Sequence, residues 1–533
     1  MRRTSSAHRN GPDETPPGGL PVTSPSSTVP SCAAPSSAGA GPDGGPEPEA
    51  DIYTEAEAGA DVYDNDRGAP GDTPGAEADG APAAEPAPPP ATPRDPHRAR
   101  RAQDREILRL AVPAFGALVA EPLFLLADSA IVGHLGTAQL AGLGVSAALL
   151  ATLVNVFVFL AYATTAAVAR RLGAGDRRSA IQQGIDGIWL ALLIAAVVVA
   201  LAVPLAPDLV RLFGASATAA PYAVTYLRLS AIGIPGMLVV LAATGVLRGL
   251  QDTRTPLIVA VAGFSANLLL NLGLVYGAGM GVAGSASGTA IAQTGMAAVY
   301  LTVVVRGARR TGAALRPDLP GIRACATAGF PLLVRTLSLR AVLLLATAVA
   351  ARLGDEAIAA HQIAMSLWNF LAMALDAIAI AGQAIIGRSL GAGDAAGARR
   401  AAARMVRWGV GTGVVLGLVL LAAAPLYLPV FTPDSGVRGL LLPVLAVIAL
   451  TQPFSGAVFV LDGVLMGAGD GRFLAWAMLG TLAVFAPLAL LVPALGAGLT
   501  ALWWAMGAFI AVRLAFLGVR SLGGAWLVTG AHR

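Results

Sequence analysis

The amino-acid sequence predicts an all-α integral membrane protein whose twelve transmembrane helices form two six-helix lobes, related by a pseudo-twofold axis along the membrane normal. Three observations predict it. The 533 residues are 55% hydrophobic and 13% charged, with a mean hydropathy of +0.68, whereas a soluble domain carries about 25% charged residues. Apolar stretches long enough to cross the roughly 30 Å of bilayer hydrocarbon recur along the chain. The chain also repeats itself at a shift of 218 residues: Arg171-Leu172-Gly173-Ala174-Gly175-Asp176 returns as Ser389-Leu390-Gly391-Ala392-Gly393-Asp394, and Gly245-Val246-Leu247-Arg248-Gly249 as Gly463-Val464-Leu465-Met466-Gly467. At the same shift Pro113 falls on Pro331, Leu135-Gly136 on Leu353-Gly354 and Pro235 on Pro453. A spacing this long exceeds the roughly 20–50 residues of solenoid repeats and marks a duplicated domain.

The first segment, residues 1–97, holds 16 acidic residues and 5 arginines, a net charge of −11, which leaves +15 on the remainder of a chain whose total is +4. It is crowded with Pro, Gly, Ala and Ser and nearly lacks large apolar side chains, so it cannot bury enough surface to offset its ordering entropy and is expected to be disordered. No apolar run of signal-peptide type occurs in it, so the first hydrophobic stretch is expected to act as an uncleaved signal anchor. The two lobes then occupy residues 98–310 and 311–533. Cys32 and Cys325 form neither a disulfide framework nor a metal-ligand spacing.

The six spans of the first lobe fall near 107–133, 139–166, 183–206, 221–246, 256–278 and 282–305. The repeat requires six more, and they are present near 323–350, 357–386, 405–430, 439–465, 473–493 and 498–519, with a slip of one residue after Gly279. Internal Gly and Pro are compatible with membrane helices because neighbouring helices and water satisfy the freed backbone groups. The even-numbered loops with their flanks carry 17 arginines and the odd-numbered loops three, Arg211, Arg352 and Arg438. The positive-inside rule therefore places both termini in the cytoplasm. Six spans per lobe give both lobes the same orientation, with a cavity between them in which one lobe can rock against the other.

A charge at the centre of a membrane helix costs roughly 2.5–3.5 kcal/mol on insertion scales, so intramembrane charges are the first candidates for function. In span 1, Glu121 and Asp128 are seven residues apart and share a face, with Pro122 between them. A bend there would open a pocket in which a half-desolvated carboxylate becomes a proton site. No arginine lies at matching depth in spans 1, 2 or 5. In span 8, Asn369, Asp376 and Gln383 form a polar stripe at seven-residue spacing, and Asp462 lies in span 10. Arg335 and Arg340 of span 7 are close enough in depth to neutralise these carboxylates, so Asp376 and Asp462 are either functional or paired structurally. None of the three aspartates recurs in the repeat: Asp128 falls on Ala346, Asp376 on Val158 and Asp462 on Thr244. Asp176, Asp394, Asp252 and Asp470 do recur, in turns after glycine-rich stretches where aspartate favours cap geometry. His134 and His361, near the outer ends of their spans, read as surface or interface residues. No phosphate-binding glycine loop, zinc spacing or serine elbow occurs, so no cofactor or metal is expected and the chain is not expected to be an enzyme.

Span 1 and its exit, Leu126-Ala127-Asp128-Ser129-Ala130-Ile131-Val132-Gly133-His134-Leu135-Gly136, followed by Ala169-Arg170-Arg171-Leu172-Gly173-Ala174-Gly175-Asp176 and Leu247-Arg248-Gly249, resemble the multidrug and toxic compound extrusion family from about residue 105 to 520. Glu121-Pro122, Leu333-Val334-Arg335, Ala374-Leu375-Asp376 and Leu461-Asp462-Gly463 are similar to its branch named for DNA-damage-inducible protein F. The resemblance implies an antiporter that exports organic, often cationic and amphipathic compounds while protons or sodium flow inward. It also implies that Asp128 is the span 1 coupling aspartate and that Asn267 is the span 5 motif asparagine. The aspartate that many members carry four residues further is Asn271 here, which weakens sodium coordination. Glu121 is a candidate substitute for that charge.

The expected function is thus proton-driven (or sodium-driven) export, with coupling at Asp128, Glu121, Asn267 and Asn271, and a substrate cavity with a second-lobe polar network of Arg335, Asn369, Asp376, Gln383 and Asp462. The expected partners are small organic molecules and the lipid bilayer, not nucleic acid, with a monomer in the cell membrane. A lipid-linked sugar flippase would need an arginine-rich cavity. A membrane-embedded enzyme using Asp376 and Asp462, or a non-transporting receptor, are the alternatives from other classes.

Overall fold

The computed structural model describes the backbone of residues 96–531 and side chains from residue 101. The tail expected to be disordered lies outside the described residues except for Pro96 and His97, which open the first helix. Among the described residues there is no strand, and 11 helices are long and apolar enough to cross a membrane, or 12 when one bent pair counts as a single span.

Span 1 is the helix Pro96–Gly133, continuous through Pro113 and Pro122. Span 2 combines Thr137–Phe157 and Phe159–Gly173, and span 3 is Arg177–Leu212. Span 4 is the bent pair, Ala220–Ala231 and Ile234–Gly249, with a 52° angle between its halves. Span 5, Arg254–Leu272, ends in a π-helical turn, Gly273–Gly277, and span 6 is Gly281–Thr311. In the second lobe spans 7 and 8 are Leu319–Arg352 and Asp355–Gly391. Span 9 is Ala395–Ala422 extended by the short helix Ala424–Phe431. Spans 10, 11 and 12 are Ser435–Gly467, Gly471–Ala494 and Leu499–Leu522. The repeated proline acts differently in the two lobes. Pro235 follows Gly233 at the break of span 4, whereas Pro453 follows Thr451 and span 10 runs unbroken.

The repeated glycines have a packing reason. Gly245 and Gly249 let span 4 press on Ala161, Thr165 and Val168 of span 2, and their equivalents Gly463 and Gly467 let span 10 press on Ala379 and Gln383 of span 8. A Cβ on any of the four would fall under 3.0 Å from the facing helix, and lipid gives helices no hydrophobic drive to associate, so close backbone approach supplies the packing. Gly409, Gly413 and Gly417 repeat the device between span 9 and Gly456, Gln452 and Ala449 of span 10. Three of the recurring aspartates act on helix starts, as expected. Asp176 accepts from the Ser179 amide at 2.8 Å, Asp394 from Gly397 at 2.6 Å, and Asp252 from Arg254 and Thr255, both at 3.0 Å. Asp470 instead binds Arg520 Nε at 2.7 Å.

The lobes meet at the end that carries the glycine-rich turns. Gly173 faces the backbone carbonyl of Arg388, and its equivalent Gly391 faces the carbonyl of Arg170, a reciprocal contact about the pseudo-twofold axis. Around it Arg388 binds Glu106 at 2.5 Å and the Gln251 Oε1 at 2.6 Å. Asp104 takes a two-pronged bond from Arg404 at 2.7 and 2.6 Å and another from Trp408 Nε1 at 2.8 Å. The chain then returns across this end: Arg170 donates to the carbonyls of Ala468, Val528 and Gly530 at 3.0, 2.7 and 3.0 Å, and the Gly530 amide donates to Leu390 at 2.9 Å.

Gln251 joins this closure from a strained backbone. It has φ +64°, the sole positive φ of a non-glycine among the described residues, where its repeat equivalent is Gly469 at φ +71°. A side chain in that region costs roughly 1–2 kcal/mol, and here the side chain is what reaches Arg388. Gln251→Gly is therefore expected to hold the unfolding free energy within about 1 kcal/mol, strain relief offsetting the lost bond. The loosened turn at Gly391–Asp394 is expected to exchange amide hydrogens about tenfold faster. Unchanged exchange there would rule out a latching role.

Candidate functional site

Asp128 sits at the meeting of spans 1, 4, 5 and 6 and is 3% exposed. Its Oδ1 accepts from Asn271 Nδ2 and from Ser285 Oγ, both at 2.7 Å. Tyr226 of span 4 lies beside it, in reach of Ser285 and Thr289 as well. Among the described residues no cation pairs with Asp128: every polar neighbour is neutral. A carboxylate this buried, held only by neutral donors, is a site where adding or removing a proton changes the local energy strongly.

The helices are shaped to hold this pocket. Gly288 of span 6 leaves the space that Asn271 fills, since a Cβ there would collide with Asn271 Oδ1. The π-helical turn after span 5 turns Tyr276 so that its hydroxyl donates to the Ile131 carbonyl at 2.6 Å, tying span 5 to span 1 three residues beyond Asp128. Single π turns recur at functional sites because they re-aim side chains without breaking a helix. One turn before Asp128, Phe124 stacks on Phe264 of span 5 at 5.3 Å, a second tie between spans 1 and 5. Asn271 Oδ1 is buried without a partner. Asn267, one turn along span 5, donates to Thr289 Oγ1 at 3.4 Å and does not reach Asp128.

Glu121 is separated from Asp128 as well. Seven residues carry it about 10 Å along the helix, and its side chain is exposed. Ala114, Phe115 and Leu118 of span 1 pack on Ala377 and Ile380 of span 8. Glu121 lies one turn beyond Leu118 on span 1, and Asp376 precedes Ala377 on span 8. Asp376 is half-buried and forms no ion pair among the described residues. The charges around it are Arg335, Arg248, Asp462 and Arg513, with Tyr162 of span 2 alongside.

Asp462 has the opposite fate. Arg335 grips it through both Nε and Nη2, and Arg513 of span 12 binds its Oδ2 at 2.9 Å. All three are buried, with Arg335, Asp462 and Arg513 exposed by 8%, 3% and 4%. The ring of Phe459 lies 5.9 Å from Arg513 and that of Tyr162 lies 6.0 Å from Arg335, spreading the excess positive charge. Of the two second-lobe aspartates left open between function and structural pairing, Asp462 is paired with arginine and Asp376 is not, among the described residues. Arg340, expected to share in it, forms no ion pair among the described residues and lies near Tyr162. The span 8 stripe does not act as a unit: Asn369 is exposed, Asp376 half-buried and Gln383 1% exposed with an unpartnered Nε2. His361 is fully buried between Thr347 and Trp503, an interface residue. Sequence reasoning missed Arg513, although an arginine in the middle of a 24-residue apolar helix is the same signal that singled out Arg335. It also missed Tyr226 and Ser285, whose types are common in membrane helices and carry no signal of their own.

The match to the MatE family covers residues 113–272 and 331–491, more than half of the chain, in two stretches that begin 218 residues apart. The chain belongs to the multidrug and toxic compound extrusion family. It is a transporter and not an enzyme, and the duplicated match is the internal repeat seen from the family's side. “Protein DETOXIFICATION 44, chloroplastic” of Arabidopsis thaliana is 32% identical over 79% of this chain and 81% of its own length. “DNA damage-inducible protein F” of Escherichia coli is 29% identical over 77% of this chain and 90% of its own. Among solved structures, a MATE transporter of Vibrio cholerae shares the fold with a TM-score of 0.72 at 21% identity, over 80% of this chain and 97% of that one. A MOP superfamily transporter from Pyrococcus furiosus aligns with a TM-score of 0.71 at 20% identity, over 79% and 95%. This family member is therefore a multi-pass membrane protein of two six-helix lobes.

Proposed function

We propose that this transporter exports organic cations in exchange for protons, with Asp128 as the proton carrier and a path between the lobes, past Glu121 and Asp376, for the substrate. The observation that carries the reading is the Asp128 pocket: a buried carboxylate with two neutral donors and no cation. In the anionic state Asn271 and Ser285 satisfy it. In the protonated state the acid needs an acceptor, and an amide can present either end, so half a turn of Asn271 supplies its unpartnered Oδ1. Each charge-assisted bond contributes about 1.5–3 kcal/mol, so losing the charge weakens the tie between span 1 and spans 5 and 6. That is a route from proton binding to helix movement and alternating access.

Proton coupling is favoured over sodium because the pocket supplies one carboxylate, with amide and hydroxyl neighbours, where a hard cation prefers more anionic oxygen. The flippase alternative is disfavoured by the commitment of Arg335 and Arg513 to Asp462, which leaves neither free to hold a pyrophosphate. The relatives named as multidrug resistance proteins, such as the NorM of Burkholderia vietnamiensis at 30% identity, support a drug-like substrate. In this reading the chain works as a monomer in the cell membrane with both termini in the cytoplasm. The test is uptake of a fluorescent organic cation into vesicles holding the purified protein. A pH gradient, acid on the side where the substrate accumulates, is expected to drive it at equal sodium, and a sodium gradient at fixed pH is expected to add nothing. The reverse pattern would replace the proton with sodium.

A further inference from the structure

In the first lobe, lined by none of the residues that bind Asp128, spans 3, 4 and 6 enclose a cavity of about 370 Å³. Its walls are apolar, among them Ile181 of span 3, Val246, Leu247 and Leu250 of span 4, and Val303 of span 6, and two arginines, Arg306 and Arg310, stand at its rim. No acidic side chain lines it. Both arginines are exposed, and neither forms an ion pair or hydrogen bond among the described residues. They are four residues apart on span 6, so they share one face. That face continues toward the middle of the span through Val303 and the 50% exposed Val299. Gly307 opens the floor between them, where a Cβ would lie 3.4 Å from Ile181 Cδ1.

Depth decides what fits. Span 3 begins at Arg177, span 4 ends at Gly249 and span 6 ends at Thr311, so the cavity lies at the arginine-rich end of the bundle, level with a leaflet's headgroups. The positive-inside rule makes that the cytoplasmic leaflet, whose anionic lipids are drawn to basic pockets between membrane helices. An occupant must put a negative group against two guanidinium groups and hydrocarbon against valine, leucine and isoleucine in the same depth order as the membrane. We propose that this cavity binds an anionic phospholipid, its phosphate held by Arg306 and Arg310 and an acyl chain along Val246, Leu250 and Val303. A second arginine makes the phosphate contact two-pronged. The lipid bridges spans 3, 4 and 6 and so stiffens the lobe that holds Asp128.

The site is tested on the full-length protein, purified in detergent and stripped of lipid, by its thermal unfolding midpoint and by native mass spectrometry. Phosphatidylglycerol is expected to raise the midpoint by several degrees and to leave one retained adduct, phosphatidylcholine to do neither, and inorganic phosphate to do neither. The double substitution Arg306→Gln and Arg310→Gln, at exposed positions where the fold does not depend on the side chain, is expected to remove the difference between the two lipids. Gly307→Leu, which fills the floor and keeps both arginines, is expected to remove the adduct too. Equal responses to the two lipids, a response to inorganic phosphate alone, or a doubly substituted protein that still prefers phosphatidylglycerol would each overturn the proposal.

Discussion

Asp128→Asn is expected to bring pH-driven uptake of an organic cation down to the level of empty vesicles while the protein still folds and still binds substrate. The substitution is nearly isosteric in a pocket where Gly288 makes room for Asn271, so packing is preserved. The oxygen of the substituted amide can still accept from Asn271 or Ser285. What is lost is the proton and the charge that makes those two 2.7 Å bonds strong. With one form of the residue at every pH, substrate affinity should cease to change with pH and the lobes should lose the coupling step. Binding isotherms at two pH values, taken beside the uptake assay, separate the ideas. A variant that binds independently of pH and does not transport supports the role of Asp128. Transport at the wild-type rate would remove Asp128 from the mechanism.

The second large effect is on stability. Asp462→Ala leaves Arg335 and Arg513 buried, unpaired and beside one another, and breaking a buried ion pair in this way costs about 3–5 kcal/mol. Among the described residues, Asp376 is the only other carboxylate among the charges around Arg335 and Arg513, and without an ion pair to either it offsets little of the loss. The contrasting variant replaces the whole triad, Arg335→Met, Asp462→Leu and Arg513→Met, and is expected to unfold within about 1 kcal/mol of wild type, because exchanging a complete buried ion cluster for apolar groups is often neutral. Unfolding in mixed micelles measures both. If Asp462→Ala melts as wild type does, the triad is not a structural core, and the second lobe has to be reconsidered as a site of ion traffic.

These two aspartates show how much of the site is legible in the chain alone. That Asp128, Asp376 and Asp462 merit notice follows from their position in apolar segments and their failure to recur at a shift of 218 residues. Whether each is a titrating group, an unpaired charge or one member of an ion cluster does not follow, because that depends on side chains from other helices, many of them more than 100 residues away. Asn271 lies 143 residues from Asp128, and Arg335 lies 127 from Asp462. Helical periodicity groups Glu121 with Asp128, and the structure separates them. Periodicity gives the angle around the axis but not what stands in front of it, and spans 4, 5 and 6 cover Asp128 while Glu121 is left exposed. Arg248 belongs to a segment that reads as a loop, yet it lies within the polar cluster of Tyr162, Tyr300 and Asp376.

The chain by itself determined that this protein crosses the membrane about twelve times, in two repeated lobes, since hydrocarbon thickness and backbone hydrogen bonding allow an apolar chain few alternatives. It determined the glycine positions too, because helices packed in lipid need small residues wherever backbones touch. Tertiary structure alone decided which charges are satisfied and which remain free to act. It locked Asp462 between two arginines, left Asp376 half-buried without an ion pair among the described residues and sealed Asp128 among neutral donors. The reason is that a buried charge is governed by the few groups within hydrogen-bonding distance of it, and in this fold those groups come from different helices.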